Sequence, residues 1–393
     1  MSSRDAEALT RAAAPVQEEP TSPEGEEAFD RPREAIALCL SGGGYRAMLF
    51  HLGALWRLNE LGYLAKLDRV SSVSGGSIAA GALAAAWPNL LFDSDGVATN
   101  FEHEVTRPIR KLGHRTIDIW AILLGILLPG SIGNRCAAAY RRHLLGDLRL
   151  DELPDRPRFV FNATSLQSGV LWRFSKRYLW DYRVGEVKNP TTQIATAVAA
   201  SAAFPPFLAP VLLRFEPSDF VAGTGMDLES DAFRTKVVLA DGGVYDNLGL
   251  ETAWKACSTV LISDGGGKLK AQKRPRRFWP LQVYRVLGVI DNQVRSLRKR
   301  QAIDGFKGGL RRGTYWGIRS HVGDYHLTDA LDCPPDKTVR LADIATRLAA
   351  MSDAEQEHLI NWGYAICDTA MRRHVVHGAP APGGFPYPDA GLG

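Results

Sequence analysis

The chain has 393 residues, of which 45% are hydrophobic and 23% are charged. This is the composition of an ordinary globular protein, and it excludes collagen-like, coiled-coil and wholly disordered chains. Lys and Arg number 47 against 43 Asp and Glu, so the formal net charge of +4 is too small to indicate a partner. The five cysteines are widely spaced and lack any C-x-x-C pair, which argues against a disulfide framework or a zinc site and favours a reducing compartment.

The two ends of the chain differ from its centre. Residues 1–34 are rich in Glu, Ala and Pro and lack apolar periodicity, so a flexible acidic arm is expected there. This N-terminus also lacks the basic and apolar regions of a secretory signal, which favours a cytoplasmic protein. Residues 378–393, with five Gly and four Pro, predict a flexible tail. One domain is expected between them, over residues 35–377.

The body opens with a strand, a glycine turn and a helix. Residues 35–40 form a continuous apolar run, which is typical of a strand buried on both faces. Apolar residues recur every three or four positions over residues 45–61, which predicts a helix packed on one side. The pattern then repeats, because residues 69–73 predict a short strand and residues 77–87 predict a helix of small residues.

Strands and helices continue to alternate along the rest of the body. Further strands are predicted at residues 158–164, 171–175, 236–240, 259–263 and 315–319. Further helices are predicted at residues 192–204, 248–257 and 280–301. Ser352 and Glu355 form a capping box that opens a last helix, which ends near Val375. This alternation predicts an α/β fold in three layers, with helices on both faces of a mainly parallel sheet.

The second strand-to-helix turn has the pattern of a nucleophile elbow. It reads Ser72-Val73-Ser74-Gly75-Gly76, in which small residues let the chain turn sharply and raise a serine above the sheet edge. Ser74 is therefore the candidate nucleophile, and Ser72, Gly75 and Gly76 complete the elbow. A serine at this position can also be a simple helix cap, so a chemical role needs partners.

The first turn offers one such partner. Gly42, Gly43 and Gly44 lie between the first strand and its helix, where glycines leave backbone N–H groups unobstructed at the positive end of the helix. Such a turn binds anions, and acyl transfer needs an anion site for the oxyanion of its tetrahedral intermediate. Because the two turns belong to neighbouring βα units, we expect the glycine loop and Ser74 to lie side by side.

A base is needed as well, because a serine hydroxyl is a weak nucleophile until another group accepts its proton. Asp241 follows the apolar strand 236–240 and precedes Gly242 and Gly243. This places a carboxylate at the carboxyl end of a strand, where the sites of open α/β sheets gather. An Asp-Gly pair is also common in simple turns. The conjunction of the three motifs predicts Asp241 as the base for Ser74.

These residues resemble the patatin-like phospholipases and acyl hydrolases. The family's glycine-rich motif with its Arg or Lys matches Gly42 to Gly44 and Arg46, its elbow matches Ser74 to Gly76, and its Asp-Gly-Gly motif matches Asp241 to Gly243. A fourth block, Ser201-Ala202-Ala203-Phe204-Pro205, is similar to a Ser-x-x-x-Pro segment of the family. Ser72 stands where the family has glycine. The resemblance covers roughly residues 35–265.

The resemblance implies a patatin-like fold and a serine esterase of phospholipase A or lysophospholipase type that degrades lipid esters. It implies a Ser74–Asp241 dyad that works without histidine through an acyl-enzyme. It also implies that the glycine-loop backbone and Arg46 stabilise the oxyanion, that Ser201 and Pro205 support the site, and that no metal or other cofactor is required.

Three other interpretations stay open. A Ser-acid-His esterase needs a histidine after the acid, and five follow Asp241: His321, His326, His358, His374 and His377. Gly42, Gly44 and Ala47 satisfy a dinucleotide fingerprint, although no acidic residue closes the second strand to hold a ribose. The third interpretation is a catalytically idle lipid-binding protein of the same fold.

Two segments suit peripheral contact with a membrane. Residues 119–128 are apolar with basic residues on both sides, which fits a lid, a shallow anchor or a core helix, and they are too few to span a bilayer. Residues 268–319 carry fifteen basic and two acidic side chains, with aromatic residues among them, which suits anionic headgroups. The same charges would attract nucleic acid, but no recognition module accompanies them, so no nucleic-acid partner is expected.

Overall fold

The computed structural model of the protein describes residues 32–117, 132–206, 208–275 and 278–393. The predicted N-terminal arm up to residue 31 and the apolar segment 119–128 lie outside the described residues. Among the helices of the described part, none has the length and apolar character needed to cross a bilayer.

The strands of the described residues join into one mixed sheet. Their bounds are β1 Arg33–Leu40, β2 Arg69–Ser72, β3 Arg158–Ser165, β4 Leu171–Phe174, β5 Tyr178–Asp181, β6 Gly185–Lys188, β7 Val211–Arg214, β8 Lys236–Asp241, β9 Cys257–Asp264 and β10 Arg312–Gly317. The order is β10-β9-β1-β2-β3-β4-β5-β6, and β8 pairs with β3 and β7. Neighbouring strands from β10 to β3 are parallel, whereas the pairs beyond β3 are antiparallel.

Helices connect these strands, together with short 3-10 and π turns. The α-helices are α1 Gly44–Glu60, α2 Gly75–Ala86, α3 Arg107–Gly113, α4 Ile132–Tyr140, α5 Ile194–Ser201, α6 Asp231–Arg234, α7 Gly243–Asp246, α8 Glu251–Trp254, α9 Trp279–Lys307, α10 Pro335–Ala342 and α11 Asp353–His374. The predicted capping box at the start of α11 is present, since the Ser352 hydroxyl accepts from the Glu355 N–H and the Glu355 carboxylate accepts from the Ser352 N–H. Helix α9 extends six residues beyond the predicted end at residue 301.

The sheet separates two apolar cores. Leu38 and Leu40 of β1 belong to the larger core, which α1, α2 and α11 cover. Ala37 and Cys39 belong to the smaller core, to which α8 and the C-terminal part of α9 contribute. Successive residues of β1 thus point to opposite faces, as in any strand, and both faces are covered by helices. This is the three-layer α/β/α fold that the sequence predicts.

Residues 378–393, for which the sequence predicts a flexible tail, are held against α11. Asn361 Nδ2 donates to the carbonyl oxygens of Tyr387 and Gly391, and Asn361 Oδ1 accepts from the Tyr387 N–H. Leu392 is buried in the larger core. Composition alone misses these contacts, because the partner amide lies on a helix that comes earlier in the chain.

Two glycines let α1 and α11 pack backbone against backbone. A Cβ at Gly53 would lie 1.9 Å from the Ile360 carbonyl oxygen, and a Cβ at Gly363 would lie 1.9 Å from the Phe50 carbonyl oxygen. We expect Gly363→Ala to lower the free energy of unfolding by about 1–3 kcal/mol, because overpacking against backbone outweighs the better helix propensity of alanine. Urea denaturation measures this change.

Gly288→Ala is the matched control for this substitution. A Cβ there would meet only the end of the Leu269 side chain, at 3.2 Å, so we expect no loss of stability. Equal stability of Gly363→Ala and the unaltered protein would mean that the two helices do not depend on this close approach.

Candidate active site

Ser74 stands on a sharp turn between β2 and α2. Its backbone has φ 53° and ψ −122°, a conformation that residues other than glycine rarely adopt. The next two positions have no room for a side chain, because a Cβ at Gly75 would lie 2.2 Å from the Gly44 carbonyl oxygen and a Cβ at Gly76 would lie 2.3 Å from that of Leu40. This is the geometry of a nucleophile elbow.

Ser74 and Asp241 come together because two strands end against each other. β2 runs parallel to β3 and ends with Ser72 opposite Phe161. β8 runs antiparallel along the same edge of β3 and ends with Asp241 opposite Ala163. Since one residue of β3 separates the two partner positions, the turn after β2 and the end of β8 face each other across a narrow gap.

The glycine loop lies beside this gap. Leu40 pairs with Ser72, so the turn after β1 and the turn after β2 are neighbours. A Cβ at Gly42 would lie 3.1 Å from the Ser74 Cβ. The Gly42 N–H donates to the Asn247 carbonyl at 3.0 Å, whereas the N–H groups of Gly43 and Gly44 donate to no described residue. Two of the three predicted amides therefore have no hydrogen-bond partner in the described part of the chain.

Arg46 braces the glycine loop from α1. Its Nε and Nη2 each lie 3.2 Å from the Gly265 carbonyl oxygen, to which they donate, and its Nη1 donates to the Ile344 carbonyl. Burial, assisted by the charges of Arg295 and Arg319, lowers the Arg46 pKa to about 10, so the side chain is still a cation at neutral pH. The described contacts of Arg46 are these carbonyls rather than Ser74, so they fix the first turn of α1, which begins at Gly44.

Ser201, at the end of α5, ties the two catalytic candidates together. Its hydroxyl accepts from the Ser74 N–H at 3.0 Å and donates to the Asn162 carbonyl at 2.6 Å. Its own carbonyl accepts from the Gly242 N–H, and the Asp241 N–H donates to Ala203 two residues further on. The Ser-x-x-x-Pro block therefore contacts the backbone of both Ser74 and Asp241, and its Pro205 lies in the turn that follows Phe204.

The Asp241 carboxyl is buried and only half satisfied. Oδ1 accepts from the Gly243 N–H at 2.7 Å, whereas Oδ2 has no hydrogen bond of acceptable geometry with any described residue. Burial raises the Asp241 pKa to about 7, against the lowering effect of Gly243 and of the nearby Ser74 hydroxyl, and the charge of Asp291 adds to the rise. A carboxyl with this pKa can both accept and return a proton near neutrality.

All nine histidines lie within the described residues, and none of them hydrogen bonds to Ser74 or Asp241. His51 is buried below the glycine loop, where Nε2 donates to the Ser41 carbonyl at 2.9 Å and Nδ1 lies 2.8 Å from the Ser263 hydroxyl. Burial lowers its pKa to about 4, so the ring is neutral. His51 joins the ends of β1 and β9 and takes no part in the predicted dyad.

Two asparagines complete the site and were missed by the sequence analysis. Asn162 fills the gap position of β3 and donates from Nδ2 to the Ser71 hydroxyl and the Ser72 carbonyl, at 2.9 and 3.0 Å. The side-chain oxygen of Asn247 lies between Gly42 and Gly243, 2.3 and 2.7 Å from where their Cβ atoms would be. The signal for Asn247 was its place just after the Asp-Gly-Gly motif, but Asn162 has no local signal because its role depends on strand pairing.

The comparison with curated proteins gives no match. Among solved structures, human GIVD cytosolic phospholipase A2 with a methyl gamma-linolenyl fluorophosphonate inhibitor is similar at 14% identity and a TM-score of 0.47, covering 94% of this chain and 62% of that chain. VipD from Legionella pneumophila is similar at 15% identity and a TM-score of 0.34, covering 85% and 66%. The type III effector ExoU is similar at 15% identity and a TM-score of 0.30, covering 88% and 54%. The chain thus spans less than two thirds of the length of these proteins.

A protein-family model matches a longer continuous part of the sequence than any of the motifs. The model for patatin-like phospholipases covers residues 38–254, which is more than half of the chain. The matched range contains the glycine loop, Ser74, Ser201 and Asp241. The chain therefore belongs to the patatin-like phospholipase family.

Proposed function

We propose that this protein is a serine acyl hydrolase that cleaves ester bonds of phospholipids or lysophospholipids, with Ser74 as nucleophile and Asp241 as base. The observation that carries the proposal is the meeting of β2 and β8, which sets an elbow serine opposite a buried carboxyl. Membership of the patatin-like phospholipase family supports lipid esters as the substrate class.

The first half of the reaction transfers the acyl group to the protein. Ser74 Oγ attacks the ester carbonyl carbon while its proton passes to Asp241, at the Oδ2 atom that lacks a hydrogen bond of acceptable geometry with described residues. The tetrahedral intermediate then collapses, the bond to the leaving oxygen breaks, and Asp241 gives the proton to the departing alcohol. An acyl-enzyme on Ser74 remains.

The second half returns the protein to its starting state. Asp241 accepts a proton from water as the water oxygen attacks the acyl carbon, and a second tetrahedral intermediate forms. Its collapse breaks the bond to Ser74 Oγ, which takes the proton back from Asp241, and a fatty acid leaves. No other side chain of the protein needs to change its protonation state.

The glycine loop stabilises the oxyanion in both halves. The N–H groups of Gly43 and Gly44 have no partner among the described residues and lie at the start of α1, where the helix dipole adds positive potential. One such donor contributes about 3–4 kcal/mol to transition-state stabilisation in serine hydrolases. Gly42 and Arg46 hold the loop in place through their bonds to Asn247, Gly265 and Ile344.

Two of the other interpretations lose support. A Ser-acid-His esterase needs a histidine bonded to Ser74 or Asp241, and none of the nine, all of them described, is placed so. A dinucleotide site needs an acidic residue at the end of the second strand, where β2 has Ser72. The idle lipid-binding protein differs from the proposed hydrolase only in turnover, which experiment decides.

Covalent labelling tests the proposal directly. We expect the purified protein to release fatty acid from phospholipid and lysophospholipid substrates, and a fluorophosphonate to stop this release in proportion to the label on the peptide that contains Ser74. Peptide mass spectrometry locates the label, and titration of free fatty acid follows the turnover. Fatty acid release that persists after complete labelling of Ser74, or labelling at another serine, would contradict the proposed nucleophile. Binding of lipid without any turnover would favour the idle protein.

A further inference from the structure

The N-terminal half of α9 exposes an unusual concentration of apolar side chains. Nine large apolar residues between positions 278 and 290 are exposed, each by 41% or more. They are Phe278, Trp279, Leu281, Val283, Tyr284, Val286, Leu287, Val289 and Ile290. We call residues 278–290 the projecting segment. An exposed apolar surface of this density marks an interaction site rather than ordinary surface variation.

The segment projects because α9 is longer than the sheet on which it packs. A helix of 29 residues is about 43 Å long, whereas the neighbouring strand β9 with its eight residues is about 26 Å long. The C-terminal part of α9 packs on the sheet, where Ala302 is buried and Lys299 lies over the ring of Tyr315. The difference of about 17 Å corresponds to about eleven helical residues, close to the length of the projecting segment.

The projecting segment leaves the body at the edge that holds the candidate active site. One turn beyond it, Arg295 lies 3.9 Å from Asp264, which ends β9 and accepts a hydrogen bond from Ser41 just before the glycine loop. Helix α9 also packs against α7, which directly follows Asp241 and Gly242. Two further exposed apolar side chains, Phe204 and Val244, adjoin the segments that position the dyad. Apolar side chains are therefore exposed near the site as well as on the projecting segment.

The distribution of apolar residues around the helix axis favours lipid over a protein as the partner of the segment. At 100° per residue, the seven exposed apolar side chains between residues 281 and 290 leave no gap wider than about 80° around the helix axis. A partner helix would need a single stripe, and a flat protein surface would cover one side. Lipid covers all sides at once, and about eleven residues are enough to enter a bilayer interface without crossing it.

The charge around the segment indicates which lipid. Residues 265–290 contain seven basic residues and no acidic residue, and the first carboxylate to follow is Asp291. Lys268, Lys273 and Arg274 are exposed and come just before the segment in the chain. Cations at a membrane surface favour anionic phospholipids, and their contribution weakens as salt screens it.

We infer that the projecting segment inserts into the interface of an anionic phospholipid bilayer and sets the candidate active site against the membrane surface. This inference rests on the lipid substrate of the proposed function and deepens it by assigning the surface through which the protein meets that substrate. It also gives a physical reason for the apolar side chains that α9 leaves in water.

Vesicle flotation tests the inference. The full chain carrying Ser74→Ala, which cannot consume the lipid, serves as the parent protein, with vesicles of phosphatidylcholine alone or mixed with phosphatidylglycerol. We expect the parent to bind the mixed vesicles at least about tenfold more tightly than the neutral ones, and high salt to reduce the difference. Adding Leu287→Glu and Ile290→Glu should weaken binding to the mixed vesicles by about tenfold or more, because two charges would have to enter the interface.

Leu91→Glu and Leu310→Glu form the matched control pair. These leucines are 65% and 64% exposed, at least as much as Leu287 and Ile290 at 56% and 54%. Leu91 follows the end of α2 that is remote from Ser74, and Leu310 precedes β10, at the edge of the sheet opposite the site. The control pair should bind as the parent does. We call Leu287→Glu with Ile290→Glu the α9 pair. An equal loss of vesicle binding in both pairs, or no loss in the α9 pair, would overturn the inference. So would a parent protein that is dimeric without vesicles and becomes monomeric in the α9 pair, since a second copy would then cover the segment.

Turnover separates this inference from the proposed function. With Ser74 present, the α9 pair should keep its activity on a soluble short-chain ester and lose activity on vesicle phospholipid. If the unaltered protein hydrolyses neither ester while vesicle binding still depends on Leu287 and Ile290, the hydrolase proposal fails and the membrane surface stands.

Discussion

Ser74→Ala is expected to lower kcat/KM on a soluble ester by a thousandfold or more, the approximate range for loss of a serine nucleophile. The variant removes the only atom that can form the acyl-enzyme, and it leaves the backbone bond from the Ser74 N–H to Ser201 in place. The protein should therefore stay folded while turnover disappears. Steady-state kinetics measure the activity, and urea denaturation confirms that stability is retained.

Ser77→Ala is the control for this variant. The Ser77 hydroxyl lies 2.9 Å from that of Ser72 and 2.8 Å from that of Ser201, so it belongs to the same polar cluster without facing Asp241 in any described contact. Its loss should reduce turnover by no more than about tenfold, through a less rigid elbow. If Ser74→Ala kept a comparable fraction of activity, Ser74 would be a helix cap and the nucleophile would lie elsewhere.

The local features of this site could be predicted from the sequence because each is fixed over a few residues. The glycine loop and the elbow both lie between an apolar strand and a periodic helix, and the structure has a turn at each place. Close packing explains why both motifs use glycine. The Cβ positions at Gly75 and Gly76 fall on carbonyl oxygens of the neighbouring turn, so the two motifs restrict each other.

The direction of β8 could not be predicted in this way. The alternation of strands and helices favours parallel pairing, and the sequence places Asp241 at the carboxyl end of a strand without fixing how that strand approaches Ser74. In the structure β8 runs antiparallel to β3. Its end therefore meets the end of β2 along the same edge of β3, and this brings Asp241 to Ser74. The pairing joins residues 74 to 78 positions apart in the chain, which periodicity does not register. The part played by Asn162 was missed for the same reason.

Asp241→Asn is expected to lower kcat/KM by about 10²–10⁴-fold, since asparagine has nearly the same shape but cannot take the proton of Ser74. The unaltered protein should show activity that rises with pH through about 7, because the base must be ionised and burial raises the Asp241 pKa to about 7. At two pH units below that value only about 1% of the carboxyl is ionised, so activity should fall about a hundredfold. In Asp241→Asn the residual activity should lose this dependence. A pH series of kcat/KM for both proteins provides the measurement.

Asp291→Asn separates the titration of Asp241 from any other ionisation. The charge of Asp291 contributes to the raised pKa of Asp241. Its removal should therefore move the rising limb of the plot of kcat/KM against pH to lower pH and leave the plateau at high pH unchanged. His321→Ala should change neither the limb nor the plateau, since no described contact joins His321 to Ser74 or Asp241. A limb that disappears in His321→Ala but persists in Asp241→Asn would assign the base to the histidine. The proposed dyad would then be wrong even if Ser74 were the nucleophile. The proton of Ser74 would pass to His321, whereas the meeting of β2 and β8 brings Asp241 to Ser74.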